Sequence, residues 1–190
     1  GEDVVYVAFS GGKDSTVLLH IVREEFPNIE AVFVNTGLEY PEIQKFVKSF
    51  NNVTILRPKM SFVEVIKKYG YPIVSKEVAE CIDGARKAEK QGIINQRIKQ
   101  MNGDWTDKTG KKSQFNHENY KPLMYVDFKI SNKCCNVMKK SPSHSYAKKT
   151  GKTQMTAQMA DESKLRKQKW LKHGCNGFDM KLPTSNPMSF

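Results

Sequence analysis

Six consecutive residues, Ser10-Gly11-Gly12-Lys13-Asp14-Ser15, carry the densest chemistry in the chain. Two adjacent glycines let a backbone turn sharply and approach a ligand closely. Lys13 adds a full positive charge, and Ser10, Ser15 and Thr16 add hydroxyls. Asp14 suits either a helix cap or a carboxylate that places a metal. An apolar run over residues 4–9 leads into the turn, and Val17, Leu18, Leu19, Ile21 and Val22 follow with helical spacing. That pattern predicts a buried strand, a glycine turn and a helix N-terminus. Free N–H groups and the positive dipole end at such a helix start suit a phosphate. The simpler reading is an ordinary strand-to-helix turn, and a lone Gly-Gly would favour it. The stretch is not a Walker A loop, which needs Gly-x-x-x-x-Gly-Lys-Ser/Thr. Thr150-Gly151-Lys152-Thr153 imitates the end of one, but Tyr146 stands where the first glycine belongs.

Three more stretches hold groups that could do chemistry. Asn35-Thr36-Gly37 ends an apolar run and offers an amide, a hydroxyl and a flexible backbone to a base or ribose. Cys134-Cys135 pairs two thiols, with Cys175 further on. Adjacent cysteines are poor disulfide partners for each other, so metal, cluster or redox roles come first among functional readings. The alternative is two small buried apolar residues. Asp161-Glu162-Ser163-Lys164-Leu165-Arg166-Lys167 places an arginine that can hold two phosphate oxygens at once. The alternative there is a solvated helical face with i to i+4 ion pairs. Lys76, after Tyr71-Pro72-Ile73-Val74-Ser75, is one more nucleotide-binding candidate.

These residues together support a resemblance. Ser10-Gly11-Gly12-Lys13-Asp14-Ser15 resembles the PP-loop, the pyrophosphate-binding signature of ATP pyrophosphatases such as GMP synthetase and tRNA-thiolating enzymes. Asn35-Thr36-Gly37-Leu38-Glu39-Tyr40-Pro41-Glu42 resembles the Asp-Thr-Gly-x-x-Phe-Pro-Glu segment of sulfonucleotide reductases, with Asn35 replacing Asp and Tyr40 replacing Phe. Cys134, Cys135, Lys139 and Pro142 match the Cys-Cys-x-x-x-Lys-x-x-Pro pattern of reductases acting on adenosine 5′-phosphosulfate. The segment around Arg166 resembles the one in which the family closes an arginine on nucleotide phosphates. The chain is thus similar to the phosphoadenosine phosphosulfate reductase family of the PP-loop superfamily.

The resemblance implies ATP or an adenosine phosphosulfate bound along Ser10, Gly11, Gly12, Lys13, Asp14, Ser15, Thr16, Asn35, Thr36, Gly37, Lys76 and Arg166. Mg²⁺ would sit on the phosphates, and Lys13, Asp14 and Arg166 would act in catalysis. It also implies a 4Fe–4S cluster on Cys134 and Cys135. In the reductases a downstream Cys-x-x-Cys completes the ligand set; this sequence has none, which leaves Cys175 as a third candidate. True reductases do not split ATP and usually degrade the loop that this chain keeps whole. The expected activity is therefore cleavage of ATP between its α- and β-phosphates with adenylyl or sulfur transfer. The alternatives are a sulfonucleotide reductase releasing sulfite with a thiol reductant protein, and a nucleic-acid-binding thiolation component acting on tRNA or DNA.

The elements that must position these residues follow from periodicity. Residues 29–34 and 53–56 read as further buried strands, with an amphipathic helix between them on Ile43, Phe46, Val47 and Phe50. Pro41 suits that helix's first turn. Residues 61–68 predict a short helix, and 78–100 a basic one broken near Gly92. Residues 86–121 predict an insertion or lid. Residues 137–140 predict helix stopping before Pro142, 153–159 a strand, 161–172 a basic helix, and the region after Phe178 an extended tail. Alternating strands and helices argue for an α/β doubly wound parallel sheet with helices on both faces, HUP-like as the resemblance implies. Ligands sit beyond the carboxyl ends of such strands, which aligns residues 10–16, 35–39 and 57–59 on one rim.

Composition sets the remaining bounds. One nucleotide-binding domain is expected over all 190 residues, continuing beyond Phe190. The net charge of +11 suits polyanions, either nucleotides or nucleic acid, or simple lysine-rich solubility. Residues 101–121 read first as a solvated excursion; the alternative is a lid or a nucleic-acid contact, because Arg86, Lys87, Lys90, Arg97, Lys99, Lys108, Lys111 and Lys112 accumulate in and before it with Trp105 and Phe115 among them. No apolar run reaches the length of a membrane span and no signal peptide is visible, so a cytoplasmic protein is expected.

Overall fold

A computed structural model describes residues 2–162, 164–173 and 186–188. The chain divides into two compact units, Gly1–Lys59 with Met138–Phe190, and Met60–Val137.

The first unit is built on a parallel sheet. Its strands are β1 (Val5–Ala8), β2 (Ala31–Val34), β3 (Val53–Leu56), β4 (Thr153–Ala157) and β5 (Asn186–Met188), in the order β3-β2-β1-β4-β5. Val7 is in register with Ala31 on one side and Met155 on the other, so β1 lies between β2 and β4. The helices α1 (Lys13–Glu25) and α2 (Pro41–Lys48) connect the first three strands. The expected α/β doubly wound parallel sheet is therefore borne out. The core follows the predicted apolar positions: Val7, Phe9, Leu18, Leu19, Phe33 and Val47 are buried together, with Ile43, Phe50 and Met155 packed against them.

The chain runs outward from β1 through β2 to β3, then returns to the opposite side of β1 as β4. Strand order reverses there, and such switch points are where open α/β sheets bind ligands. A half-buried polar cluster at the other end of the strands ties the start of β4 to β2 and β3. Glu30, just before β2, accepts from the Lys152 ammonium at 2.8 Å and from the hydroxyls of Thr54 at 2.6 Å and Tyr146 at 2.5 Å. Burial alone would raise the Glu30 carboxyl; the bonds from Lys152, Thr54 and Tyr146 outweigh it and hold its pKa below the ordinary value. Tyr6 of β1 stacks edge-on against Tyr146 at 5.5 Å and donates to Gln154 of β4 at 3.3 Å. Burial, with the nearby Tyr146 and Glu30, pushes the Tyr6 phenol up to about 12.

The helix expected to stop before Pro142 does not stop. Asn136–Lys140 form a π-helical turn, and α7 (Ser141–Thr150) continues from it with Pro142 in its first turn. A first-turn residue has no intrahelical use for its N–H, so proline starts a helix as readily as it ends one.

The second unit contains α3 (Phe62–Tyr69), α4 (Lys76–Lys90), α5 (Gln96–Asn102) and the three-residue α6 (Lys133–Cys135). Ser61 and Glu64 form a reciprocal capping box on α3, and Ser75 caps α4. The predicted break near Gly92 separates α4 from α5. A second core gathers Val78, Cys81, Ile82, Met101, Met124 and Ile130. Much of the basic stretch is committed locally: Arg97 pairs with Glu80 at 2.6 Å, Lys87 with Asp83 at 2.5 Å and Lys112 with Glu118 at 2.5 Å. Of the expected extended tail, only β5 falls among the described residues. No helix among those residues is long and apolar enough to cross a membrane.

Candidate functional site

The site begins where β1 runs out. Phe9 is buried and anchors the strand's end. Gly11 then turns with φ +74°, and a Cβ there would lie 2.9 Å from Ile43 Cγ2 and 3.0 Å from Val47 Cγ2 of α2. Glycine is required on both counts, backbone conformation and close approach. Gly12 occupies the N-cap position of α1, with no side chain capping it.

Hydroxyls hold the turn in shape. The Ser10 and Ser15 oxygens lie 3.0 Å apart, and the Ser10 N–H donates to Ser15 Oγ at 3.2 Å. The Gly12 carbonyl accepts from the Ser15 hydroxyl at 3.0 Å, the Thr16 hydroxyl at 2.9 Å and the Thr16 N–H at 3.0 Å. That last bond is the first of the helix. The N–H groups of Lys13, Asp14 and Ser15 therefore precede the helical ladder, and none makes a hydrogen bond among the described residues. They form an anion cradle at the positive end of a thirteen-residue helix. Asp14 is not the cap: its carboxylate takes the Lys13 ammonium at 2.5 Å. Lys13 also reaches Met159 Sδ at 3.7 Å and stays 79% exposed, so a ligand can take its charge without unfolding anything.

A cavity of about 270 Å³ lies over this turn. Ala8, Ser10, Gly12, Asp14 and Ser15 line it from the β1 side, Thr156 and Ala157 from the end of β4, and Glu162 and Arg166 from beyond. Arg166, on α8 (Lys164–His173), pairs with Glu162 one turn earlier. Glu162 also accepts from the Met159 N–H at 3.0 Å, which fixes the approach of that segment. Loop, arginine and switch point thus share one cavity, and Arg166 makes the i to i+4 pair that the simpler reading of its segment expects. Thr156, Ala157 and Glu162 are lining residues that sequence reasoning missed. Thr153–Ala157 is half-exposed throughout and shows no alternation that would reveal its place beside β1.

The next strand end is built differently. The Asn35 carboxamide donates to Gln44 at 3.1 Å and accepts from the Gly37 N–H at 2.9 Å. The Thr36 hydroxyl and N–H donate to the Glu39 carboxylate at 2.7 and 2.9 Å. Burial would raise the Glu39 carboxyl, but these bonds and the Lys139 charge hold it low. Asn35, Thr36 and Gly37 thus shape a rigid turn at the end of β2 and do not line the 270 Å³ cavity.

Lys76, Cys134 and Cys135 belong to the second unit. Lys76 opens α4 and is exposed; Cys135 is exposed and Cys134 half-buried. Cys81 is fully buried, its thiol raised by that burial and directed at the Arg97 carbonyl at 3.6 Å. Cys175 lies outside the described residues. No three potential metal ligands of the His, Cys, Asp or Glu type come together among the described residues, so Cys134 and Cys135 alone do not make a cluster site. Asp14 and Glu162 are hard oxygen donors of the kind Mg²⁺ takes beside phosphates, and they line the cavity.

Comparison with known proteins fits this geometry. The sequence model of the phosphoadenosine phosphosulfate reductase domain matches residues 4–110, more than half of the chain. The chain belongs to the phosphoadenosine phosphosulfate reductase family. At that level its function is nucleotide-related. It is also 36% identical over 73 residues to an uncharacterized protein of Methanocaldococcus jannaschii. That match covers 36% of this chain and 18% of the archaeal protein, so the chain spans less than a fifth of that relative's length.

Proposed function

We propose that this family member binds ATP over the turn at residues 10–16 and cleaves it between the α- and β-phosphates. The observation that carries the reading is the intact Ser-Gly-Gly-Lys-Asp-Ser turn, with three uncommitted N–H groups and an exposed Lys13 at one helix start. A reductase has no pyrophosphate to release and no need of that cradle in full.

An acceptor oxygen would attack the α-phosphorus. The bond to the bridging oxygen would break, pyrophosphate would leave, and the acceptor would keep the adenylyl group. Negative charge moves onto the leaving pyrophosphate in that step. The N–H groups of Lys13, Asp14 and Ser15 face it without reorganisation, which is the main source of catalysis in such transfers. The Lys13 ammonium would leave Asp14 for the phosphates, and the Arg166 guanidinium would exchange Glu162 for phosphate oxygens. Bound Mg²⁺ would offset phosphate charge, with Asp14 and Glu162 as the residues positioned to hold it. Sulfur transfer to the activated acceptor is a natural sequel within this family. Asn35, Thr36 and Gly37 remain candidates for the adenosine end.

The test is isothermal titration of ATP into the wild-type chain and Lys13→Ala. Binding weakened by about tenfold or more, with an unchanged unfolding midpoint, is expected from losing a charge-assisted contact. Equal affinity in the two proteins would refute the site. Sulfite release from an adenosine phosphosulfate, with no pyrophosphate from ATP, would favour the reductase reading instead.

A further inference from the structure

The second unit has a concave surface that the nucleotide site does not use. A cavity of about 260 Å³ opens there, lined by Lys68, Lys87, Lys90, Lys129 and Lys133. Arg86 also lines it, but its guanidinium donates to the carbonyls of Leu123, Met124, Val126 and Phe128 at 2.7–2.8 Å. Arg86 therefore builds the wall rather than facing a ligand. One carboxylate, Asp83, lines the cavity and is taken by Lys87 at 2.5 Å. Among the described residues, no carboxylate lies within ion-pair distance of Lys68, Lys90, Lys129 or Lys133.

Lysines in the last turns of α3 and α4 would be unremarked alone, since they complement the helix dipole. Their convergence with Lys129 and Lys133 is a different matter. Gly70 follows α3 with φ +94°, and a Cβ there would fall 2.3 Å from the Lys129 carbonyl. Only glycine lets the two segments lie so close. Tyr71 N–H then bonds the Lys129 carbonyl at 2.9 Å, and Lys129 Nζ reaches the Lys68 carbonyl at 3.3 Å. Lys68 and Lys133 stand over the same Tyr69 ring, 5.4 and 5.2 Å from its centroid. The fold gathers like charges in a hollow, at a Coulombic cost that a polyanion would relieve.

An aromatic pair stands on the same two segments as Lys68 and Lys129, outside the residues that line the cavity. Tyr71, bridged to Ile130, and Phe128, next to Lys129, meet edge-to-face at 5.8 Å and are 50% and 39% exposed. We propose that this face binds single-stranded nucleic acid, with backbone phosphates over the lysines and a base against Tyr71 and Phe128. Ammonium groups track a phosphodiester backbone without reading sequence, and exposed rings add base stacking. A free small anion would use the lysines and leave the rings without a role. The inference does not depend on how the turn at residues 10–16 is used.

The experiment is fluorescence anisotropy of a labelled, mixed-sequence single-stranded RNA of about 12 nucleotides with the full chain, across a salt series. Affinity should fall linearly on a log–log plot, by about 0.7 per phosphate neutralised. The Lys90→Gln/Lys129→Gln/Lys133→Gln variant should bind more weakly, with a slope shallower by about 2. Tyr71→Ala should weaken binding about fivefold or more at fixed salt and leave the slope unchanged. An unchanged circular-dichroism spectrum and urea unfolding midpoint in each variant check its fold. If the triple variant does not fold, Lys90→Gln alone should still lower the slope by about 0.7. Unchanged affinity and slope would overturn the proposal. So would displacement of the RNA by inorganic phosphate at equal phosphate concentration, which would make the hollow a small-anion pocket.

Discussion

Gly11→Ala should damage this protein far more than Gly37→Ala, although both glycines follow a strand and both have positive φ, +74° and +81°. The conformational cost is shared: placing alanine in the left-handed region costs about 1 kcal/mol. The surroundings differ. A Cβ at Gly37 meets nothing within 4 Å, whereas one at Gly11 presses on Ile43 Cγ2 at 2.9 Å and Val47 Cγ2 at 3.0 Å. Val47 is fully buried in the core under the sheet, so α2 cannot yield without disturbing its packing. Overpacking of that kind costs about 1–3 kcal/mol more. Gly11→Ala should thus lose about 2–4 kcal/mol and Gly37→Ala about 1 kcal/mol. Urea unfolding of both variants measures the difference, and a cycle with Val47→Ala tests its cause. The double variant Gly11→Ala/Val47→Ala should lose less than the sum of the singles, because the second change makes room for the first. Equal losses at Gly11 and Gly37, or strict additivity with Val47→Ala, would refute the close-approach argument.

Three further outcomes follow from the structure. Glu30→Gln should destabilise the chain by about 1–2 kcal/mol at neutral pH, since it removes the charge opposite Lys152 while keeping an acceptor, in a half-buried site where Glu30 is 12% exposed. The Glu30 carboxyl titrates below its ordinary value, so its contribution is present above the unfolded-state pKa and lost as pH falls through the folded one. The gap between wild type and variant in urea midpoint should therefore close on acidification. Tyr6 behaves oppositely: with its phenol pushed up to about 12, its stability is intact below the ordinary value of 10 and lost as pH rises from there. Tyr6→Phe should accordingly lose less stability than wild type between neutral and strongly alkaline pH, read by the same unfolding curves. Iodoacetamide followed by mass spectrometry should label Cys135 in the native chain and leave Cys81 unmodified, because burial keeps the Cys81 thiol protonated and out of reach.

The turn at residues 10–16 was legible because its determinants are local. Paired glycines, a lysine and hydroxyls between an apolar run and a helical stripe specify the same geometry wherever they occur. The parallel sheet was legible for the same reason, since residues 4–9 and 31–34 are apolar on both faces. The other wall of the cavity was not. Thr153–Ala157 mixes polar and apolar residues, and its place beside β1 depends on Glu30 meeting Lys152 and Tyr146, more than a hundred positions away in sequence. The basic residues were legible only in part. Arg86 reads as a surface cation, yet it is tied to four carbonyls. The lysines left facing the hollow are a different subset, selected by the close approach at Gly70.

We propose that the turn serves ATP cleavage rather than reduction of a sulfonucleotide. One preparation of the protein, offered ATP with Mg²⁺ and candidate acceptors in one arm and an adenosine phosphosulfate with a thiol reductant in the other, tests it directly. Pyrophosphate should appear from ATP and be lost in Lys13→Ala, with no sulfite. Sulfite from the phosphosulfate, with neither ATP binding nor pyrophosphate release, would contradict it.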